Sequence, residues 1–206
     1  MIRFDNMPPE VMQAMCTPMH EILPRAALPT ASSSSHPSSA SPYAPYSHSQ
    51  QQQPPMSGAL YLGGLTAMND PSLLRQHNIR HFVQVIEAAW APPCRADDTS
   101  YGIDIRDKEN VDLRPYLEGA CQYIERSLRT GSSVLIHCQQ GISRSSAIVI
   151  AFLIRNHGMT YDSALAYVKR KRACVKPNPG FARALMEWEA AWRSSNRPGM
   201  QRRFTS

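Results

Sequence analysis

Cysteine is scarce and shows no pairing pattern: the chain has five, Cys16, Cys94, Cys121, Cys138 and Cys174, an odd total without a C-x-x-C. That argues against a disulfide framework and a thiolate-bound zinc, and for a reducing compartment, cytoplasmic or nuclear. Long apolar runs are also lacking. The longest, Ala147 to Ile154, has eight residues, against about 20 for a bilayer span, so no membrane partner is expected. Arg3 and Asp5 sit near the start with no apolar stretch behind them, and no secretory signal is read there. Acidic residues are outnumbered 16 to 22 by lysine and arginine, a net charge of +6. Such a surface suits an anionic substrate and says nothing of the fold. A length of 206 residues allows one ordinary domain with extensions.

Composition divides the chain further. Residues 29–58 hold ten serines, six prolines, four glutamines and no formally charged residue. A stretch so poor in apolar surface cannot offset its ordering entropy and reads as disordered. Residues 1–18 show no clear periodicity. Residues 19–28, opening on MHEIL, are a candidate first strand region, which leaves the polar tract as either an insert looped out of a domain or a linker. Flexible loops of that size close at modest entropic cost. The main folded domain is read as residues 59–193, and residues 194–206 as a polar, basic and loose tail.

Ten residues carry most of the functional information: HCQQGISRSS, His137 to Ser146. Val134, Leu135 and Ile136 before them form a short apolar stretch suited to a buried parallel strand. After them comes an apolar helical run ending at Gly158, placed as a left-handed cap. Strand, tight loop and helix start aim successive backbone N–H groups and the positive helix end at one point, which favours an oxyanion and phosphate above all. Cys138 stands at that point, where the same donors would stabilise its thiolate. Arg144 offers a planar fork matched to phosphate oxygens. Gly141 provides positive φ or close approach to the ligand. The phosphate cradle is therefore read as Cys138, Gln139, Gln140, Gly141, Ile142, Ser143 and Arg144.

This His-Cys-x5-Arg-Ser pattern resembles the signature of the cysteine-dependent protein tyrosine phosphatases, and among them the small dual-specificity phosphatases. The resemblance runs from about Leu60 to Trp192 and includes LYLGG (Leu60 to Gly64), IDIRDKENVDL (Ile103 to Leu113) and KPNPGF (Lys176 to Phe181). GMTYDSALAYVKRKRACVKPNPGF is similar to the phosphoserine/threonine/tyrosine-interacting branch, some of whose members have lost the cysteine and only bind phosphoproteins. Here Cys138 is present. The resemblance implies an α/β fold, one mostly parallel sheet with helices on both faces, and the site at the carboxyl end of a central strand. It implies a cysteinyl-phosphate mechanism on phosphoprotein substrates, with no cofactor and no metal. By resemblance Ser145 helps the thiolate leave in the second step; a helix N-cap is the other reading of that residue. Asp107 matches the family's acid position, with Asp104 and Asp112 as rivals; Asp112 also reads as a helix cap and Asp104 as solvent-facing. Lys108, Glu109 and Asn110 depart from the commoner family spellings. Asn178 matches a position that orders the loop near the site and equally reads as a helix cap.

Other residues receive plainer readings. His137 is expected to hydrogen-bond backbone around the loop. Lys169 to Arg172, KRKR, reads as a solvated helix face, with a nuclear-import or nucleic-acid patch as the alternative. Trp188 and Trp192 are read as core. Gln139, Gln140 and Ile142 are neutral, which suits a monoester on protein and disfavours polyphosphorylated lipid or RNA 5′-triphosphate. A phosphoprotein-binding adaptor and an RNA-directed phosphatase remain the rival functions. The oligomeric state is not legible.

Overall fold

The computed structural model describes residues 7–28, 55–87 and 98–195. Its elements run α1 (Pro9–Cys16), β1 (Met19–Leu23), β2 (Leu60–Gly63), α2 (Leu65–Met68), α3 (Pro71–Gln76), β3 (Ile79–Gln84), β4 (Thr99–Gly102), α4 (Arg114–Arg129), β5 (Ser133–His137), α5 (Arg144–His157), α6 (Tyr161–Lys171) and α7 (Pro179–Ser195). The sheet has five strands in the order β1-β2-β5-β3-β4. β1 lies antiparallel to β2, and every other pairing is parallel. The α/β class with a mostly parallel sheet is therefore as expected.

Side-chain alternation explains the two layers. Successive residues of a strand point to opposite faces. Leu60, Leu62, Val83, Val134 and Ile136 belong to one apolar cluster, which takes in the buried side of α4 and nearly all of α5. Tyr61, Phe82 and Leu135, in register across β2, β3 and β5, belong to the other, closed by Ala67 of α2 and Leu74 of α3. Helices thus cover both faces. The helix starts follow ordinary capping chemistry: Asp70 accepts from the Ser72 and Leu73 amides, and Thr160 accepts from the Ser163 amide. Gly158 ends α5 with φ of 64°.

Several expectations need correction. Residues 9–16, left without an element, are a helix that begins with proline at its first turn. β4 ends at Gly102; beyond it the Ile103 amide still donates to Gln84 O at 2.8 Å, and Ile103 and Ile105 are buried. Ser194 and Ser195 are still helical. Trp188 is half-buried against the core, and Trp192 is a partly exposed ring under the Arg155 guanidinium, 5.1 Å away.

Most of the polar tract lies outside the described residues, but its edges do not. Ala27 and Met56 form an antiparallel bridge, and the Ser57 amide donates to Ala26 O at 2.7 Å. The Gly58 amide donates to Leu128 O at 2.7 Å. Residues 55–58, assigned to the tract from composition, therefore pack on the domain, and the chain leaves and returns at one place. Among the described residues no helix is long and apolar enough to cross a membrane.

Candidate active site

β5 delivers Cys138 to the carboxyl edge of the sheet, and α5 begins six residues later at Arg144. The thiol is 2 % exposed. Its sulfur accepts from the Gly141 amide and from Ser145 Oγ, each at 3.2 Å. An N–H and an O–H thus converge on one sulfur. Gly141 has φ of +70°, and a Cβ there would lie 2.5 Å from Gly63 O, so conformation and space both require glycine.

The carbonyls of the loop are held by donors outside and at its end. Gln139 O accepts from the Leu65 amide at 3.1 Å, and Ile142 O from the Lys176 amide at 2.9 Å. Ser146 Oγ donates to Ile142 O and Ser143 O at 2.6 and 2.8 Å. Arg172 takes the two between, donating to Gln140 O from Nη2 at 2.9 Å and to Gly141 O from Nε at 3.0 Å. A trans peptide fixes its N–H opposite its C=O. Carbonyls held at their own donors therefore turn the following amides the other way, as the Gly141 amide on the sulfur illustrates.

Arg144 is mostly buried. Its Nη1 donates to Ile105 O at 3.3 Å, and its Nε, buried without a hydrogen bond, lies 4.0 Å from Asp107 Oδ2. Asp107 Oδ1 accepts from Ser143 Oγ at 2.7 Å and from Asn178 Nδ2 at 2.8 Å. Asn178 Oδ1 in turn accepts from the Phe181 amide at 2.9 Å, and the Asn178 amide donates to Ser143 Oγ at 3.1 Å. Asn178 is thus both a cap of α7 and a support for Asp107.

The structure separates the three aspartates. Asp104 is exposed. Asp112 accepts from the Arg114 amide and side chain, which hold its carboxyl below the usual range; it sits one residue before the N-cap position of α4. Of the three, Asp107 is the one joined to Arg144 and to the loop.

Three expectations fail here. Ser145 is not the cap of α5, because Ser143 holds that position and Ser145 lies inside the first turn, on the sulfur. His137 forms no well-aligned hydrogen bond at either ring nitrogen, and its only backbone interaction of note is a weak one with Cys138. Strand alternation turns its ring to the Leu135 side of β5, where burial pushes its pKa down to about 4, opposed weakly by the Cys138 backbone. Gln84, its register partner on β3, is also buried with an unpartnered Oε1. Finally, KRKR is not wholly solvated: Lys169, Arg170 and Lys171 are exposed, but Arg172 is 1 % exposed. Helical spacing carried the signal, since Tyr161, Ala164 and Val168 are the buried stripe of α6 and position 172 continues it. Ser146 has no separate role in the sequence reading; its signal is its place in the first turn of α5, after Ser143 at the N-cap position.

Among the described residues no group of three or more His, Cys, Asp or Glu side chains is placed to hold a metal ion. A buried thiol supplied with two donors, a guanidinium with an unused N–H and a carboxylate beside it can bind a phosphate monoester and exchange its phosphoryl group with sulfur. That constellation defines the class of cysteine-dependent phosphatases.

Comparison with known proteins names the family. The dual specificity phosphatase catalytic domain model matches residues 60–191. The chain belongs to this family and is a protein phosphatase of the dual-specificity class. It is 38% identical over 138 residues to Dual specificity protein phosphatase 1 of Arabidopsis thaliana, across 66% of this chain and 69% of the relative. It is 36% identical over 139 residues to the human Serine/threonine/tyrosine-interacting protein, across 65% of this chain and 62% of that one. Among solved structures, a mouse putative dual specificity phosphatase complexed with zinc tungstate superposes with a TM-score of 0.63 at 30% identity, over 66% of this chain and 85% of the other.

Proposed function

We propose that the chain hydrolyses phosphotyrosine and phosphoserine or phosphothreonine on proteins through a cysteinyl-phosphate intermediate. Cys138 Sγ attacks phosphorus in line, forming the S–P bond as the bond to the leaving oxygen breaks. Asp107 protonates that oxygen. Arg144 and the amides from Gln139 to Arg144 hold the three equatorial oxygens, whose charge they stabilise in the transition state. Water then attacks phosphorus, giving its proton to Asp107, and the S–P bond breaks. Ser145 stabilises the departing thiolate. Inorganic phosphate and the dephosphorylated side chain are the products, and Cys138, Arg144, Asp107 and Ser145 are the catalytic residues.

The observation that carries this reading is the convergence of the Gly141 amide and Ser145 Oγ on one sulfur, both at 3.2 Å. The neutral side chains of Gln139, Gln140 and Ile142 support a protein monoester over a polyphosphorylated ligand. An RNA-directed phosphatase would need charge that these positions do not offer. The similarity to an interacting protein raises binding without turnover as the second reading. Phosphate release from an aryl phosphate and from phosphotyrosyl and phosphothreonyl peptides separates the two. Turnover lost in Cys138→Ser supports the enzyme; tight peptide binding without turnover in the parent supports the adaptor.

A further inference from the structure

Arg172 lies at the carboxyl end of α6, buried, with its guanidinium on four acceptors: Gln140 O, Gly141 O, Thr17 O at 3.0 Å and His20 Nδ1 at 2.9 Å. A buried cation is costly unless paired, and no carboxylate is among these partners. Besides a side-chain hydrogen bond with Cys174, its partners are backbone carbonyls and a ring nitrogen. Burial and the neighbouring Arg172 charge hold His20 below its ordinary pKa, so the ring stays neutral and its Nδ1 can accept. Two of the four acceptors are the middle carbonyls of the phosphate loop. The other two belong to residues 17–20, outside the span that matches the family model. The Gly64 amide reinforces that link by donating to Pro18 O at 3.1 Å.

The geometry points to Arg172 as a positioning residue for the phosphate site, one that sets the Gly141 amide on the Cys138 sulfur and the Ile142 amide toward the oxyanion by holding the carbonyls of the two peptide units from behind. The reasoning is covalent before it is energetic. The Gln140 carbonyl and the Gly141 amide share one plane, as do the Gly141 carbonyl and the Ile142 amide. Fixing the two oxygens on one rigid fork fixes the two N–H vectors, and one of them is the donor to Cys138 Sγ. Lysine could supply the charge but not two co-planar N–H bonds at set spacing. The segment holding Thr17 and His20 braces the other side of the guanidinium, so α1 and β1 act on the loop through the same group. Arg172 touches neither substrate nor sulfur in this role.

This inference rests on the loop being a phosphate site, and the test separates it from the turnover reading. In the full chain, orthovanadate binding is measured by calorimetry, alongside aryl phosphate kcat/KM and thermal stability, for Arg172→Gln and Arg172→Lys. Tyr61→Phe serves as control, because its hydroxyl bonds Glu21 and His77 and touches no loop residue. Misplacement of reacting groups by about 1 Å costs roughly 10²-fold. Arg172→Gln should weaken vanadate binding and kcat/KM together by about that factor. Arg172→Lys should keep the fold and lose roughly tenfold in both, a partial rescue. Tyr61→Phe should lose stability with vanadate affinity unchanged. If Arg172→Gln does not fold, Arg172→Lys decides: parental vanadate affinity in a destabilised Lys variant would reduce Arg172 to a packing role and overturn the inference. A parent chain that binds vanadate in an Arg172-dependent manner yet releases no phosphate would end the turnover reading and leave this one standing.

Discussion

Asn178 allows stability and catalysis to be separated at one side chain. Its Oδ1 caps α7 at the Phe181 amide and its Nδ2 holds Asp107 Oδ1 at 2.8 Å. Asn178→Ala removes both bonds, whereas Asn178→Ser keeps a capping oxygen and is too short to reach Asp107. Losing an N-cap to alanine costs about 1 kcal/mol, and asparagine and serine rank nearly equally there. For an ordered domain of this size about 1 kcal/mol lowers Tm by roughly 3 °C. The bond to Asp107 is a single, partly exposed hydrogen bond, worth about 1 kcal/mol. Spent on aligning the acid, that is close to fivefold in kcat. Calorimetric Tm and kcat on a phosphotyrosyl peptide should therefore show Asn178→Ser near the parent in stability but about fivefold slower. Asn178→Ala should be equally slow and less stable. A serine variant with parental kcat would mean that Nδ2 does nothing for Asp107, and one as unstable as the alanine variant would refute the cap.

Three further outcomes follow from the same geometry. His137 titrates near 4 when folded and near 6.5 when unfolded, so the unfolded chain binds the extra proton between those values. Stability then falls as pH drops through that window, by about 3 kcal/mol in all, and is fully present above it. Urea unfolding of the parent and of His137→Gln at pH 7 and pH 4.5 should show the parent losing more by up to that amount, and equal losses would contradict it. Asp107→Asn should slow a phosphothreonyl or phosphotyrosyl peptide by roughly 10²–10⁴-fold while sparing a nitrated or fluorinated aryl phosphate; if Asp112→Asn shows that leaving-group dependence instead, the acid is misassigned. Replacing residues 30–54 with a short Gly/Ser linker should leave Tm and kcat/KM close to the parent. Deleting all residues before Leu60 should destabilise the domain and cut activity, since it removes β1 and the Thr17 and Pro18 carbonyls. Equal behaviour of the two would show that residues 17–23 contribute nothing to the loop.

Local pattern and chain order made most of the fold and the loop readable. The apolar stretch before Cys138 and the left-handed stop at Gly158 are local signals, and the structure places them as read. What the sequence concealed depends on tertiary partners. No periodicity separates an outward lysine from an inward arginine within KRKR unless the buried stripe is carried past its last apolar member to Arg172. The ring of His137 lies where no well-aligned acceptor meets it, which only the packing reveals. β4 precedes the apolar alternation of Ile103 and Ile105 around Asp104, because its pairing is set by the β3 edge, from His81 to Gln84. Ser145 looked like a cap by residue type, yet the first turn of α5 starts one residue sooner and turns its hydroxyl onto the sulfur.

The central claim is that Cys138 carries the phosphoryl group. The direct measurement is mass spectrometry of the full chain, quenched in acid during turnover of a phosphotyrosyl peptide and mapped to the peptide containing His137 to Ser146. Ser145→Ala should raise the captured amount, since it slows departure of the thiolate and leaves the first step largely intact. A phosphoryl adduct on Cys138, more abundant in Ser145→Ala and absent from Cys138→Ser, is the predicted result. Phosphate release that continues in Cys138→Ser, or proceeds in the parent with no adduct in either the parent or Ser145→Ala, would contradict the account.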